Sequence, residues 1–425
     1  MAKGRGFISC YPASPREPDL TLSTKRVPYD DQKKIRSAAF PDGRRTDASM
    51  IKIAFVIDTI ESPTAGTEKQ LLMLIKHLDR SRFQPYLCVL RLSEWLEKEF
   101  DLCPLYVAGI GSFKNAFAWL KIVTLSRYFQ RETVDVVQVH FRDSSIAGVL
   151  AAKLAGVKTI IGTRRNQGYW MTSLDKWIQK GLDRWVTAYI ANSQSTKQWM
   201  ADSEGVQPGR VEVINNGFNF SLFQLLSAEK RKMIRASLGL AEDAPVIVIV
   251  ANLRPVKDHN TFLQAAGVVH RHFPEARFLV VGGGSELQKL KDVSIKLGID
   301  SAVDFIGARL DIPEILNACD VGVLSSVSES FSNAVVEYMA AGLPVVTTDV
   351  GGAREAVDDN VNGFIVPAGD WEMMGKRLTE LIESGRATHM GQESRNRSGE
   401  RFSMVSMVEK TQHLYCRCLE GPKNF

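Results

Sequence analysis

The feature that most constrains this chain is a pair of successive series of short, uniformly apolar runs, each run separated from the next by a helical stretch. The first series occupies residues 51–57, 85–90, 134–139, 159–163, 188–192 and 211–214. The second occupies 246–250, 277–281, 303–306, 321–324, 345–348 and 363–366. Runs that are apolar throughout, rather than alternating, read as parallel strands buried on both faces, and the helices between them supply the crossovers. Two series in tandem predict an α/β chain of two Rossmann-like, doubly wound domains, with ligands at the carboxyl ends of the strands, in the cleft. A length of 425 residues suits two or three domains. The expected division is a disordered basic leader over 1–49, domains over 51–222 and 223–401, and a C-terminal helix within 402–425 whose position the sequence leaves open.

Charge and cysteine usage narrow the function classes. Of the net +5, +4 lies in residues 1–49, so the body is nearly neutral and no nucleic-acid partner is expected. The leader has no apolar stretch fit for a signal peptide, and Met50, directly before the first strand, is expected to be the native start. An intact mass that includes residues 1–49 would overturn that expectation. The six cysteines form no CxxC pair, which points to reduced thiols and a cytoplasmic protein. No apolar run reaches the roughly 18 residues of a membrane span. Two aromatic and basic stretches, 113–131 and 169–189, read either as helices in peripheral contact with an anionic membrane or as core-facing helices with a basic outer face.

The segment richest in chemistry runs from Ser325 to Asp349. A strand enters a polar loop, and Ser332 or Asn333 is placed to cap a helix that Gly342 and Pro344 end. The free N–H groups of such a helix start receive a phosphate, with Glu329 before it and Glu337 about one turn inside, suited to sugar or ribose hydroxyls. The bland alternative is a capped helix with surface glutamates. Arg254 and Lys257 follow the strand 246–250 and could neutralise a diphosphate, or form a solvated loop. The glycine run 282–284 is not G-x-G-x-x-G and is a weak dinucleotide fingerprint. Gly66 opens a helix after the first strand, His140 ends the strand 134–139, Arg164 and Arg165 end the next, and Asn216-Gly217 forms a turn at the cleft side. No metal-ligand spacing is present, so no metal site and no cofactor is expected.

Together these segments resemble the retaining glycosyltransferases of family 4, which have the GT-B fold. The most specific part is Glu329-x7-Glu337, Met339-Ala-Ala-Gly-Leu-Pro-Val-Val, Asp349-Val-Gly-Gly-Ala-Arg-Glu355 and Asn362-Gly-Phe-Ile-Val-Pro367. Gly66-Thr-Glu68, His140, Asn192-Ser193 and Asn216-Gly217 match the first domain in order. The resemblance implies a metal-independent, retaining transfer of a hexosyl or N-acetylhexosaminyl group from a nucleotide sugar to a glycan or lipid-linked acceptor, as in cell-surface polysaccharide or glycolipid synthesis. It implies that Glu337 binds the ribose, and that Glu329 with Ser330, Phe331, Ser332 and Asn333 holds the donor sugar and diphosphate. Lys257 and Arg254 would stabilise the departing diphosphate, Ile306, Gly307 and Arg309 would flank the base, and Gly66 would approach the diphosphate from the first domain. His140, Arg164, Arg165 and Asn216 fall on the acceptor or sugar side.

Two departures stand out. Asn252 occupies the place of a common family arginine, which makes Arg254 the expected substitute, and Arg164-Arg165 stands where a histidine is frequent. A sugar-nucleotide epimerase, a non-catalytic nucleotide-sugar-binding protein and a nicotinamide-dependent dehydrogenase are the competing readings.

Overall fold

The computed structural model describes residues 50–421, apart from 64, 65, 115, 116, 167 and 169–171. The expectations for the leader, residues 1–49, lie outside the described residues.

Two wholly parallel sheets carry the architecture. The first has seven strands in the order β3-β2-β1-β4-β5-β6-β7, with β1 Ile51–Ile57, β2 Phe83–Val89, β3 Leu105–Val107, β4 Val136–Val139, β5 Thr159–Arg164, β6 Ala188–Ala191 and β7 Val211–Val213. The second has six in the order β10-β9-β8-β11-β12-β13, with β8 Val246–Val250, β9 Arg277–Val281, β10 Val303–Gly307, β11 Val321–Leu324, β12 Val345–Thr348 and β13 Gly363–Val366. In both sheets the order reverses beside a central strand, the arrangement that opens a ligand crevice at the carboxyl edge. The expected pair of doubly wound domains is therefore present.

Several strand limits differ by one or two residues from the expectation, β2 starting at Phe83 rather than 85, and two differences have a clear local cause. β3 was not foreseen, because it is a three-residue edge strand that is only half buried. β4 starts at Val136 rather than 134, because the preceding helix closes late: Val134 N–H donates to Phe129 O at 3.0 Å, and Thr133 takes a positive φ of 53°.

Helices cover both faces of the first sheet. On one face lie α2 (Phe117–Glu132), α3 (Arg142–Ala155) and α4 (Ser173–Asp183), which bury Ala118, Ile122, Leu125, Val149, Ala152 and Leu182 in a common core. The other face is covered by α1 (Gly66–His77) and by α6 (Met404–Glu420), the last helix of the described chain. Sequence periodicity left α6 unplaced; it returns to the first domain. Val408, Leu414 and Tyr415 are fully buried there, and Tyr415 donates to Gln138 Oε1 of β4 at 2.6 Å. The chain thus crosses between the domains twice, and the crossings are bonded side by side: Phe218 N–H to Phe402 O at 2.9 Å, and Met404 N–H to Phe218 O at 3.2 Å.

The outer faces of α2 and α4 are not merely basic. Phe117, Trp119, Leu120, Leu174 and Trp177 are all more than half exposed, Trp177 by 74%. Lys121, Lys176 and Lys180 stand among them. Among the described residues no helix is long and apolar enough to cross a membrane.

Candidate active site

The site is assembled from loops at the carboxyl ends of the strands, which face each other across the cleft. In the second domain, β8 runs into a 3₁₀ turn, Pro255–Lys257, and β11 into the loop that carries Glu329. These loops are tied together: Val327 N–H donates to Val256 O at 3.0 Å, and Ser325 Oγ to Lys257 O at 3.0 Å. Lys257 Nζ pairs with Glu329 Oε1, and Ser326 Oγ donates to the same oxygen at 2.8 Å. Neither member of the pair is strongly exposed (25% for Lys257, 13% for Glu329), so solvent screens the pair weakly. Gly351 closes in from behind with φ +54°; a Cβ there would lie 2.2 Å from Glu329 O, so only glycine permits this approach.

The helix expected after this loop is α5 (Asn333–Ala340). Ser332 is its N-cap residue and makes no side-chain cap bond, while Asn333, the first helical residue, turns its side chain across the cleft. Phe331 points the other way and packs on Phe402, ring centroids 5.2 Å apart. It anchors the loop, leaving the backbone of 330–333 at the cleft. Glu337, one turn into α5, faces Lys69 of α1 at 3.8 Å. Burial pushes the Glu337 carboxyl above its usual value, and Lys69 opposes that only in part. Lys69 and Ser326 escaped the sequence reading, although Lys69 lies one turn after Gly66 and so shares the cleft-facing start of α1.

Further bonds span the cleft. Asn216 Nδ2 donates to Asn333 Oδ1 at 2.7 Å. Ser330 Oγ donates to Arg165 O at 2.6 Å and accepts from Asn192 Nδ2 at 3.2 Å. Glu355 accepts from Gln194 N–H at 2.7 Å and from Asn215 Nδ2 at 3.3 Å. The structure therefore brings Gly66, Arg165 and Asn216 against Ser330, Asn333 and Glu337. A Cβ on Gly66 would meet Asn333 Nδ2 at 3.6 Å.

The remaining expected residues lie further out or deeper. Arg254 is exposed on the turn before Lys257. Ile306 and Gly307 end β10, where Gly307 O accepts from Gly282 N–H at 2.8 Å; Arg309 is exposed and forms a bidentate pair with Asp311. His140 is buried, within hydrogen-bond distance of Thr163 Oγ1 at 3.2 Å, and burial next to the Arg165 charge lowers its pKa to about 3. It is a neutral imidazole at pH 7. His140, Arg164 and Arg165 line one small pocket in the first domain, of about 40 Å³, together with Arg142, Ile146, Ile178, Trp199 and Glu204. Among the described residues no group of three or more His, Cys, Asp or Glu side chains is placed to hold a metal ion.

Comparison with known proteins matches residues 64–222 to the model described as Glycosyltransferase Family 4, and 230–400 to that described as Glycosyl transferases group 1. A D-inositol 3-phosphate glycosyltransferase 2 of Catenulispora acidiphila is 30% identical over 307 residues, 67% of this chain and 71% of that protein. The chain is a family 4 glycosyltransferase. This glycosyltransferase is also 26% identical over 303 residues to the Escherichia coli UDP-Gal:alpha-D-GlcNAc-diphosphoundecaprenol alpha-1,3-galactosyltransferase, covering 69% of this chain and 78% of that one. Its fold matches Anabaena Alr3699/HepE in complex with UDP with a TM-score of 0.77 at 22% identity, over 86% of this chain and all of the other. The GT-B arrangement expected of the family is thus the one the glycosyltransferase adopts.

Proposed function

We propose that this glycosyltransferase moves a hexosyl or N-acetylhexosaminyl group from a nucleoside-diphosphate sugar to a glycan or lipid-linked acceptor, with retention of configuration and with fixed cations in place of a metal ion. The observation that carries the reading is the helix start at Asn333, which has no side-chain cap bond and stands between the Lys257–Glu329 pair and Glu337. The N–H groups of that helix start and Lys257, with Arg254 beside it, receive the diphosphate. Glu337 accepts from the ribose hydroxyls, residues 306–309 flank the base, and Glu329 with the backbone of 330–333 holds the sugar. Gly66 leaves room for the diphosphate from the first domain, and His140, Arg164, Arg165 and Asn216 stand on the acceptor or sugar side. In the reaction an acceptor hydroxyl oxygen bonds to the anomeric carbon as the carbon–oxygen bond to the diphosphate breaks. The hydroxyl proton passes to the departing phosphate oxygen on the same face. The substrates named for the Escherichia coli relative, and the UDP and UDP-glucose complexes of the Anabaena protein, support a nucleotide sugar as donor.

A thermal-shift panel of UDP, GDP, ADP, CMP, dTDP and NAD tests the donor assignment. A ligand at about 100 times its Kd stabilises by about 2.7 kcal/mol. One nucleoside diphosphate is expected to raise Tm by a few degrees. A shift with NAD alone would defeat the reading.

The apolar and basic outer faces of α2 and α4 support work in the cytoplasm or at the inner face of a membrane, in peripheral contact with anionic lipid. Both helices cover the same face of the first sheet, on either side of α3, and Phe117, Trp119, Leu120, Leu174 and Trp177 all lie in or just after their first turns, after strand carboxyl ends. Sedimentation with vesicles containing phosphatidylglycerol is expected to carry the protein down. The Trp119→Ser/Trp177→Ser double variant should lose most of that binding, and equal binding by the variant would remove this assignment.

A further inference from the structure

Arg164 and Arg165 are adjacent in sequence but differ in their surroundings. Arg164 has a counter-ion: its Nε donates to Glu204 at 3.2 Å, and its guanidinium lies over the Tyr189 ring, 5.2 Å from the centroid. Arg165 has no carboxylate partner among the described residues. Its Nη1 donates to the neutral amide oxygen of Asn216, and its Nε is buried without a partner. The neighbouring His140 supplies no negative charge. A buried guanidinium without a counter-ion is costly to keep, and each N–H left unmade adds to the cost.

Two bonds hold Arg165 to the donor loop. Its carbonyl accepts from Ser330, and the Asn216 amide that receives its guanidinium reaches on to Asn333 at the start of α5. Arg165 is also among the residues that border the first-domain pocket. We infer that Arg165 is the receptor for a phosphoryl group where the first domain meets the donor loop, beside Asn216 and Ser330. A planar fork with unused N–H groups and an uncompensated charge matches phosphoryl oxygens. The inference rests on the donor-site reading above and deepens it. The phosphoryl group belongs either to the nucleoside diphosphate, where Arg165 would add to the charge of Lys257 and Arg254 from across the cleft, or to a phosphorylated acceptor.

Calorimetric titration of the full chain with UDP, and separately with geranyl monophosphate, distinguishes these sources. Arg165→Gln is expected to weaken one of the two anions by roughly ten- to a hundredfold. Arg165→Lys should restore part of the loss. Asn216→Asp supplies Arg165 with an internal carboxylate while keeping it folded in place, and should weaken the same anion. A loss confined to UDP assigns the donor phosphate; a loss confined to geranyl monophosphate assigns the acceptor phosphate. Failure of UDP to bind the unaltered chain, with an Arg165-dependent geranyl monophosphate site intact, would sink the donor reading and leave the inference standing. If Arg165→Gln and Asn216→Asp bind both anions as the unaltered chain does, or if the unaltered chain binds neither, Arg165 is not a phosphoryl receptor.

Discussion

Replacing Lys257 by alanine is expected to lower kcat by about two to three orders of magnitude, the range found when a preorganised charge-stabilising group is removed from an enclosed site. The lysine sits on a rigid 3₁₀ turn, its backbone carbonyl held by Ser325 and its ammonium by Glu329. It therefore needs little rearrangement when charge develops on the leaving diphosphate. The substitution also leaves Glu329 without its cation, with only Ser326 as a side-chain donor, and a lone carboxylate there repels the phosphate. The loss of the cation acts most strongly as charge develops on the leaving group and lowers kcat, while the repulsion of the bound diphosphate also raises KM, so kcat/KM should fall further than kcat. Lys257→Arg keeps the charge and should recover part of the loss. Steady-state kinetics with the nucleotide sugar identified by the thermal panel measures this. A Lys257→Ala variant within threefold of the unaltered chain would remove the leaving-group role.

Glu337→Ala should weaken nucleoside-diphosphate binding about a hundredfold, since hydrogen bonds to an ionised acceptor contribute about 1.5–3 kcal/mol each. The carboxylate is 16% exposed and its partner Lys69 is 43% exposed. Removing the glutamate leaves no buried charge behind, and the unliganded Tm should change by only a degree or two. The readout is thus clean: the thermal shift with the preferred nucleotide disappears while the fold persists. Retention of that shift in Glu337→Ala would place the ribose elsewhere.

The strands were legible because a strand buried on both faces has to be apolar at every position, and those runs are short and bounded by polar turns. The half-exposed edge strand Leu105–Val107 carries no such mark. The cleft residues were legible as a set for a related reason: in parallel sheets, whatever follows a strand's carboxyl end lies at the crevice. What each residue faces was not legible. Arg164 and Arg165 lie side by side at the end of β5, where successive side chains point to opposite faces. One goes to Glu204, the other to Asn216, and no feature of the Arg-Arg pair says which. The same holds for Lys69 against Glu337 and for Asn216 against Asn333, pairings between elements far apart in the chain. The apolar stripe of α6 suited any exposed sheet face, and only the tertiary structure shows that it completes the first sheet.

That last placement bears on the order in which the molecule can be made. The first sheet and most of its helices leave the ribosome early, yet Val408, Leu414 and Tyr415, which seal one face of it, are translated only after the whole second domain. Until then α1 covers that face alone, and the part that α6 will seal, with Phe83 under Tyr415, stays an open apolar wall. The second domain has all its strands and its covering helices in one uninterrupted stretch, so it is able to consolidate first, and the domain that begins the chain is the one that finishes last.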